Sequence, residues 1–401
     1  MSTKWKVIFE RSAQVGHAMN RPAGVHYIDT PDALESFCAH LREVDWFALD
    51  TEFLREKTYY PKLCLLQIAT RTEVACIDPL ALPDLLPLLE ILANPAITKV
   101  MHSGRQDMEI FYHLAGVPPA PVFDTQIAAP LLGYTDQIGY ANLVREVLGV
   151  TLDKLHTRAD WSVRPLTGDQ LRYAADDVIY LVDVYLKLRE RLEQHGRLTW
   201  LEEDFRQLAS AELYESPPHL AWLKVKGANR LKGAALSNLQ ALAAWREERA
   251  QDKDLPRGWL MKDDVMIDLA RHRPESLQAL GAIRGLGERL ISRNGHELLA
   301  LIAQAAERKP EPFPETGMRD RLDPDQDALV DVMMAVVRIS AEQHSLNPTM
   351  LATRKQLEAL VLGDNKGGVM QGWRRKLIGE RLQKLLAGEL ALTVRNGRLV
   401  L

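Results

Sequence analysis

The sequence predicts an α/β domain over residues 22–205, with a mixed sheet flanked by helices, followed by two small all-helical domains. Three observations carry that reading. Apolar runs of strand length alternate with helix-length amphipathic segments up to about residue 205. Beyond that point β-branched runs become scarce, and helical patterns separated by Pro and Gly take over. The polar run Glu307-Arg308-Lys309-Pro310-Glu311-Pro312-Phe313-Pro314 then breaks the helical half. The expected division is 22–205, a helical domain at 206–305, a linker at 306–321 and a second helical domain at 322–395. A chain of 401 residues is long enough for two or three such cores.

The elements follow in order. Val25–Ile28 is a short strand, and Thr30 caps a helix that has Pro31 at its first position and runs to Leu41. Trp46–Asp50, Leu63–Ala69 and Val74–Ile77 are strands, while Leu82–Leu92 is helical with a start left open by Pro87. Ile97–His102 is a strand feeding a helix that Ser103 caps, with Gln106 completing a capping box. Ala141–Leu148 and Thr167–Leu188 are helical. The second opens on a Thr167/Gln170 box and carries Leu171, Ala174, Val178, Leu181 and Tyr185 as a buried stripe. Strands with helices between and after them make a layered α/β domain.

Composition excludes several classes. Hydrophobic residues make up 46% of the chain, enough for real cores. No segment reaches the roughly 18 uninterrupted apolar residues that span a membrane. The opening MSTKWKVIFERS has no apolar h-region, so no secretory signal is expected and the protein reads as cytoplasmic. Cys38, Cys64 and Cys76 form no CxxC pair and read as core cysteines of a reducing compartment. The net charge of -4 decides nothing, but its distribution is uneven. Lys366, Arg374, Arg375, Lys376, Arg381 and Lys384 crowd one stretch, and Lys224, Lys226, Arg230, Lys232, Arg246, Arg249, Lys253 and Arg257 another. Each is a phosphate-facing patch or merely a solvated helix face.

The acidic residues are more telling. Asp50 and Glu52, at the end of the Trp46 strand, share a face because a strand reverses direction at every residue. Two carboxylates so placed repel unless something positive lies between them. Asp107, in His102-Ser103-Gly104-Arg105-Gln106-Asp107, falls in the second turn of its helix, where a solvated role is equally open. Asp124 reads as a helix N-cap rather than a ligand. Tyr173 and Asp177 lie i,i+4 on one helix face, whereas Asp176 lies about 100° away and faces solvent or a basic partner. Asp50, Glu52, Asp107 and Asp177 together make a hard oxygen set suited to Mg²⁺ or Mn²⁺, and no HExxH or Cys/His cluster favours zinc. Two divalent metal ions about 4 Å apart can activate water and stabilise a leaving 3′ oxygen. Tyr173 would orient the water, its ordinary pKa near 10 making it a poor base.

DTEF at 50–53, YYPKLCLLQIAT at 59–70, HSGRQDMEIF at 102–111 and YAADDVIYL at 173–181 closely resemble the motifs of ribonuclease D, in the YxxxD subgroup of the DEDD superfamily. The resemblance covers roughly 22–205. It implies an RNase H-like fold, 3′–5′ exoribonuclease activity and a two-metal site of Asp50, Glu52, Asp107 and Asp177 with Tyr173 at the water. Phe53 and Gln67 are candidates to line the substrate cleft, although Phe53 suits a core equally. LPRGWLMKDD at 255–264 and Ile283-Arg284-Gly285-Leu286-Gly287 resemble an HRDC domain, which implies a nucleic-acid-binding accessory role for Arg284, Gly285 and Gly287. Ribonuclease D enzymes carry a second HRDC-like domain where 322–395 lies, but the Gly-Leu-Gly signature is missing here and Gly367-Gly368 is a weak echo. Trp373 and Arg374 could meet RNA there, although an anchoring tryptophan reads better.

The family suggests RNA with a single-stranded 3′ end as substrate, above all precursors of transfer RNA. A 3′–5′ exonuclease acting on DNA is the runner-up, because no residue advertises a 2′-hydroxyl contact. A non-catalytic RNA-binding protein would need a broken acidic set, and this one is complete. No heptads or repeats suggest self-association, so a monomer is expected.

Overall fold

The computed structural model describes residues 6–10, 24–152, 159–313, 322–365 and 367–400; Lys366 and residues 314–321 of the expected linker lie outside them. The described residues form two compact units, one drawn from Met1–Glu52, Leu63–Leu213 and Arg319–Leu401, the other from Phe53–Lys62 and Tyr214–Met318.

The first unit is built on a seven-stranded sheet. Its strands are β1 (Lys6–Glu10), β2 (Gly24–Ile28), β3 (Trp46–Leu54), β4 (Lys62–Ala69), β5 (Val74–Ile77), β6 (Thr98–Met101) and β7 (Val122–Asp124), in the order β1-β2-β5-β4-β3-β6-β7. β3 runs parallel to β6, and β6 parallel to β7, whereas β4 and β5 are antiparallel, so the sheet is mixed as expected. Parallel neighbours require crossovers. α1 (Pro31–Leu41), α2 (Leu86–Leu92), α3 (Arg105–Ala115), α4 (Thr125–Ala128), α5 (Tyr140–Leu148) and α6 (Gly168–Gln194) lie between and after the strands. Leu171, Ala174, Val178, Leu181 and Tyr185 of α6 are all buried, and the Thr167/Gln170 capping box forms.

Several local expectations change. β3 continues four residues beyond Asp50, so the acidic pair lies within the strand and not at its end. α2 starts only at Leu86, which leaves Pro87 in the first turn, where no intrahelical N–H is lost. Thr30 holds the cap position of α1 without a side-chain bond. Ser103 caps nothing: Gly104 is the N-cap of α3 and no capping box forms. Ser103 instead takes a left-handed φ of 58°, and its amide and that of Gly104 donate to Asp124 at 3.1 and 2.8 Å. A Cβ on Gly104 would come within 2.8 Å of the Met101 side chain, so this turn needs glycine.

The C-terminal helices belong to the same unit. Ahead of α7 (Glu202–Leu208), Arg197 donates to Leu131 O at 2.6 Å and to His344 O at 2.5 Å, and Asn347 Nδ2 donates to Tyr134 O at 3.2 Å. Trp200 stacks on Trp373 with centroids 4.5 Å apart.

The second unit is helical: α8 (Gly233–Asp252), α9 (Arg257–Leu260), α10 (Asp263–His272), α11 (Leu277–Gly281) and α12 (Glu288–Ala306) close around Trp222, Leu239, Leu242, Met266, Leu269, Leu280 and Leu298. The segment Phe53–Lys62 joins it through Tyr59, whose hydroxyl meets Glu247 at 2.5 Å and Arg257 at 2.8 Å. In the first unit, α13 (Pro324–Gln343), α14 (Pro348–Leu351), α15 (Arg354–Val361), α16 (Gly372–Arg374) and α17 (Glu380–Leu386) complete the chain before a short β8–β9 hairpin (Thr393–Arg395 and Arg398–Val400). Among the described residues no helix is long and apolar enough to cross a membrane. All three cysteines are buried and none forms a disulfide.

Candidate active site

Strand alternation begins where β3 leaves the apolar interior. Trp46–Leu49 is wholly buried, then Asp50 and Glu52 are half-buried with buried Thr51 between them. β6 pairs with β3 as far as Ala48 opposite Val100, so the chain leaves β6 beside the acidic pair and enters α3 there. Asp107 is therefore in the first turn of α3, not the second, and is only 7% exposed. It is not a solvated helix residue. The Thr51 hydroxyl donates to its Oδ1.

Asp124 holds this entry in place. Besides Ser103 and Gly104 it accepts from Gln126 N at 2.8 Å and Ile127 N at 3.4 Å, capping α4. It acts as the expected N-cap and also as the anchor of the turn that starts α3. His102, at that turn, meets Thr125 Oγ1 at 2.9 Å.

α6 supplies Tyr173 and Asp177, one turn apart and both half-buried. Tyr140 of α5 donates to Asp176 O at 3.1 Å, tying α5 to this part of α6. The ring of Tyr173 faces Trp161, with centroids 6.2 Å apart and planes tilted by 32°.

These acids lie within electrostatic reach of one another. Burial, then the charges of Asp107, Asp177 and Glu52, hold the Asp50 carboxyl well above its usual range. Burial together with Asp177 and Asp107 pushes Glu52 up to about 8. Burial raises Asp177 to about 7, and raises Asp107 to about 7 against the opposing Thr51 hydrogen bond. Tyr173 is also pushed up, by burial and by Asp177, Glu52 and Asp50, so it remains a neutral hydroxyl at ordinary pH. Hard oxygen donors with unbalanced charge suit a hard divalent cation in chemistry. Among the described residues, however, no three His, Cys, Asp or Glu side chains are gathered into a group that could hold one. The donor types are present without a gathered ligand shell.

The other candidate residues are scattered. Gln67, on β4, is fully buried with neither amide atom hydrogen-bonded, so it does not line an open cleft. Phe53 is half-buried just after Glu52. Arg284, Gly285 and Gly287 form an exposed turn before α12, with Gly285 at φ 85° and Ile283 and Leu286 turned into the core. Trp373 is engaged within the fold, stacked on Trp200 and with the Arg374 guanidinium 4.4 Å from its ring centroid, in keeping with an anchoring tryptophan. Arg374 is engaged as well, donating to Met350 O at 2.7 Å. The basic stretch at 224–257 is partly spent internally, on Arg246–Asp263, Arg249–Glu297 and Arg257–Glu247 ion pairs. Sequence reasoning missed Thr51, Trp161 and Arg164, whose guanidinium donates to the Trp161 carbonyl at 2.7 Å. The signal for the last two was the Trp-Ser-Val-Arg-Pro run immediately before the capping box.

A family model described as a 3′-5′ exonuclease matches residues 25–193, and an HRDC domain model matches 235–302. The chain is similar to ribonuclease D of Sphingobium indicum, 40% identical over 91% of this chain and 95% of that one. It is also similar to ribonuclease D of Nitrobacter hamburgensis, 39% identical over 93% and 98%. Among solved structures it resembles the crystal structure of Escherichia coli RNase D, with a TM-score of 0.77 and 36% identity over 90% of this chain and 98% of that one. The mixed-sheet exonuclease part followed by helices matches that architecture. The chain belongs to the ribonuclease D family and is a 3′–5′ exonuclease with an HRDC domain.

Proposed function

We propose that this protein removes nucleotides from the 3′ ends of RNA, releasing 5′-monophosphates, and that it acts on precursors of transfer RNA and other structured RNAs. The observation that carries this reading is that Asp50 and Glu52 of β3 feel the charges of Asp107 of α3 and Asp177 of α6, and that the neutral hydroxyl of Tyr173 feels those of Asp50, Glu52 and Asp177. The choice of RNA is supported by the similar E. coli RNase D, described as an exoribonuclease involved in structured RNA processing.

Asp50, Glu52, Asp107 and Asp177 would hold two divalent cations, Mg²⁺ or Mn²⁺. When bound, such ions lower the pKa of water and stabilise the charge on the leaving oxygen. The Thr51 hydroxyl fixes the Asp107 carboxylate by donating to it. Tyr173, neutral at working pH, orients water by hydrogen bonding and does not take its proton. The helical segments 206–305 and 322–395, joined by a linker at 306–321, serve as accessory domains to the exonuclease of 22–205. The exposed residues Arg284, Gly285 and Gly287 of the turn before α12 would face the RNA backbone. We place the enzyme in the cytoplasm as a monomer.

The test is a side-by-side degradation of matched 5′-labelled RNA and DNA, with free or blocked 3′ ends, in Mg²⁺ or Mn²⁺. Only the RNA with a free 3′ end should shorten progressively, and Asp50→Ala should abolish this. Equal shortening of DNA would point to the alternative substrate. Full activity of Asp50→Ala would overturn the acidic site.

A further inference from the structure

We propose that Trp161, held down by Arg164, is a positioning residue that fixes the ring of Tyr173; this rests on the reading of Tyr173 as the water-orienting hydroxyl. Tyr173 lies half-buried in the second turn of α6, where the helix backbone fixes its Cα but does not by itself set the direction of the ring. A hydroxyl that orients water must be held more tightly than that. The ring facing it is Trp161, only 3% exposed, in the irregular stretch between residue 159 and the cap at Thr167.

Regular secondary structure does not hold that stretch; Arg164 does. Its guanidinium makes five hydrogen bonds, matching its five N–H donors. Nε and Nη2 grip the two oxygens of Asp78 at 2.6 and 2.7 Å. Nη2 also reaches Cys64 O at 2.6 Å. Nη1 turns back to Trp161 O at 2.7 Å and Val163 O at 3.0 Å. The carbonyl of Trp161 is thereby tied to the end of β5 and to β4. Asp78 is braced in turn by the Tyr27 hydroxyl at 2.5 Å and by Leu80 N at 2.9 Å. Asp160 closes the turn on the other side, accepting from Ser162 N and Oγ at 3.0 and 2.6 Å.

The Asp78 side chain is 3% exposed, and such a buried pair adds little stability over apolar packing of the same shape. What it adds is a defined position for the loop. The consequence is that Trp161 stands as a fixed wall beside Tyr173, anchored on a part of the sheet that carries none of the four acids.

A double-mutant cycle tests this, with single-turnover and steady-state rates on a short 5′-labelled RNA in Mg²⁺. Trp161→Ala is expected to lower kcat roughly 10- to 100-fold, with KM changed less than about twofold. Trp161→Phe, which keeps an aromatic wall, should restore most of the rate. In the Tyr173→Phe background Trp161→Ala should cost little more, because no hydroxyl is left to place. If Trp161→Ala fails to fold, Arg164→Lys takes its place, since lysine keeps the charge against Asp78 but cannot span all its partners. The inference is overturned if Trp161→Ala costs the same factor in both backgrounds, or costs nothing. Tyr173→Phe at full rate would instead overturn the reading of Tyr173 itself.

Discussion

Replacing Asp107 by Asn should stabilise the metal-free protein at pH 8 while ending its catalysis. The Asp107 carboxyl is raised from 3.8 to about 7, first by burial. Between those values the folded protein binds more protons than the unfolded chain, so stability falls as pH rises from about 4 to about 7. Applied to this one group, the linkage relation gives a cost of about 1.6 kcal/mol at pH 5 and about 4 kcal/mol at pH 8. The pH 8 figure is a ceiling, because neighbouring acids take up protons as Asp107 loses its own. Asparagine carries no charge to bury, and its carbonyl can still accept from Thr51. Thermal unfolding in EDTA should therefore show the variant ahead of wild type, by a margin about 2–3 kcal/mol larger at pH 8 than at pH 5. A margin independent of pH, or a variant less stable than wild type at pH 8, would refute the claim that buried charge strains this site.

The same strain predicts the response to cations. Mg²⁺ should raise the unfolding temperature of wild type more at pH 8 than at pH 5, because protons compete with metal for these carboxylates; an equal rise at both pH values would count against metal at this site. Arg197→Ala should destabilise the first unit by about 2–4 kcal/mol, since it leaves the carbonyls of Leu131 and His344 without their donor and removes the cation over Trp200. Differential scanning calorimetry would register this, and an unchanged melting profile would mean that the C-terminal helices are held by other contacts.

Some of the site could be read locally. The Asp50/Glu52 alternation follows from strand geometry, and Tyr173/Asp177 from helical spacing after a capping box whose partners are three residues apart. Asp124 as an N-cap belongs to the same class, because its partners Gln126 and Ile127 are its chain neighbours. The capping box expected at Ser103 has the same sequence signature but does not form. Asp124, 21 residues away, competes for the amides of that turn and holds Ser103 in a left-handed conformation.

The division between sequence and tertiary structure follows the range of the interactions. Periodicity and capping act over two to four residues, so the chain alone determined the mixed α/β part, the helical remainder and which acids share a face. Long-range register decided the rest. The pairing of β3 with β6 brings Asp107 to the Thr51 hydroxyl, 56 residues away in sequence. The fold carries Arg164 to Asp78, 86 residues back, which turns an unremarked loop into the wall beside Tyr173. The Trp200 stack and the Arg374 guanidinium likewise engage a tryptophan that its basic neighbours made look available. No local signal encodes these partners, because each depends on where two distant backbones meet.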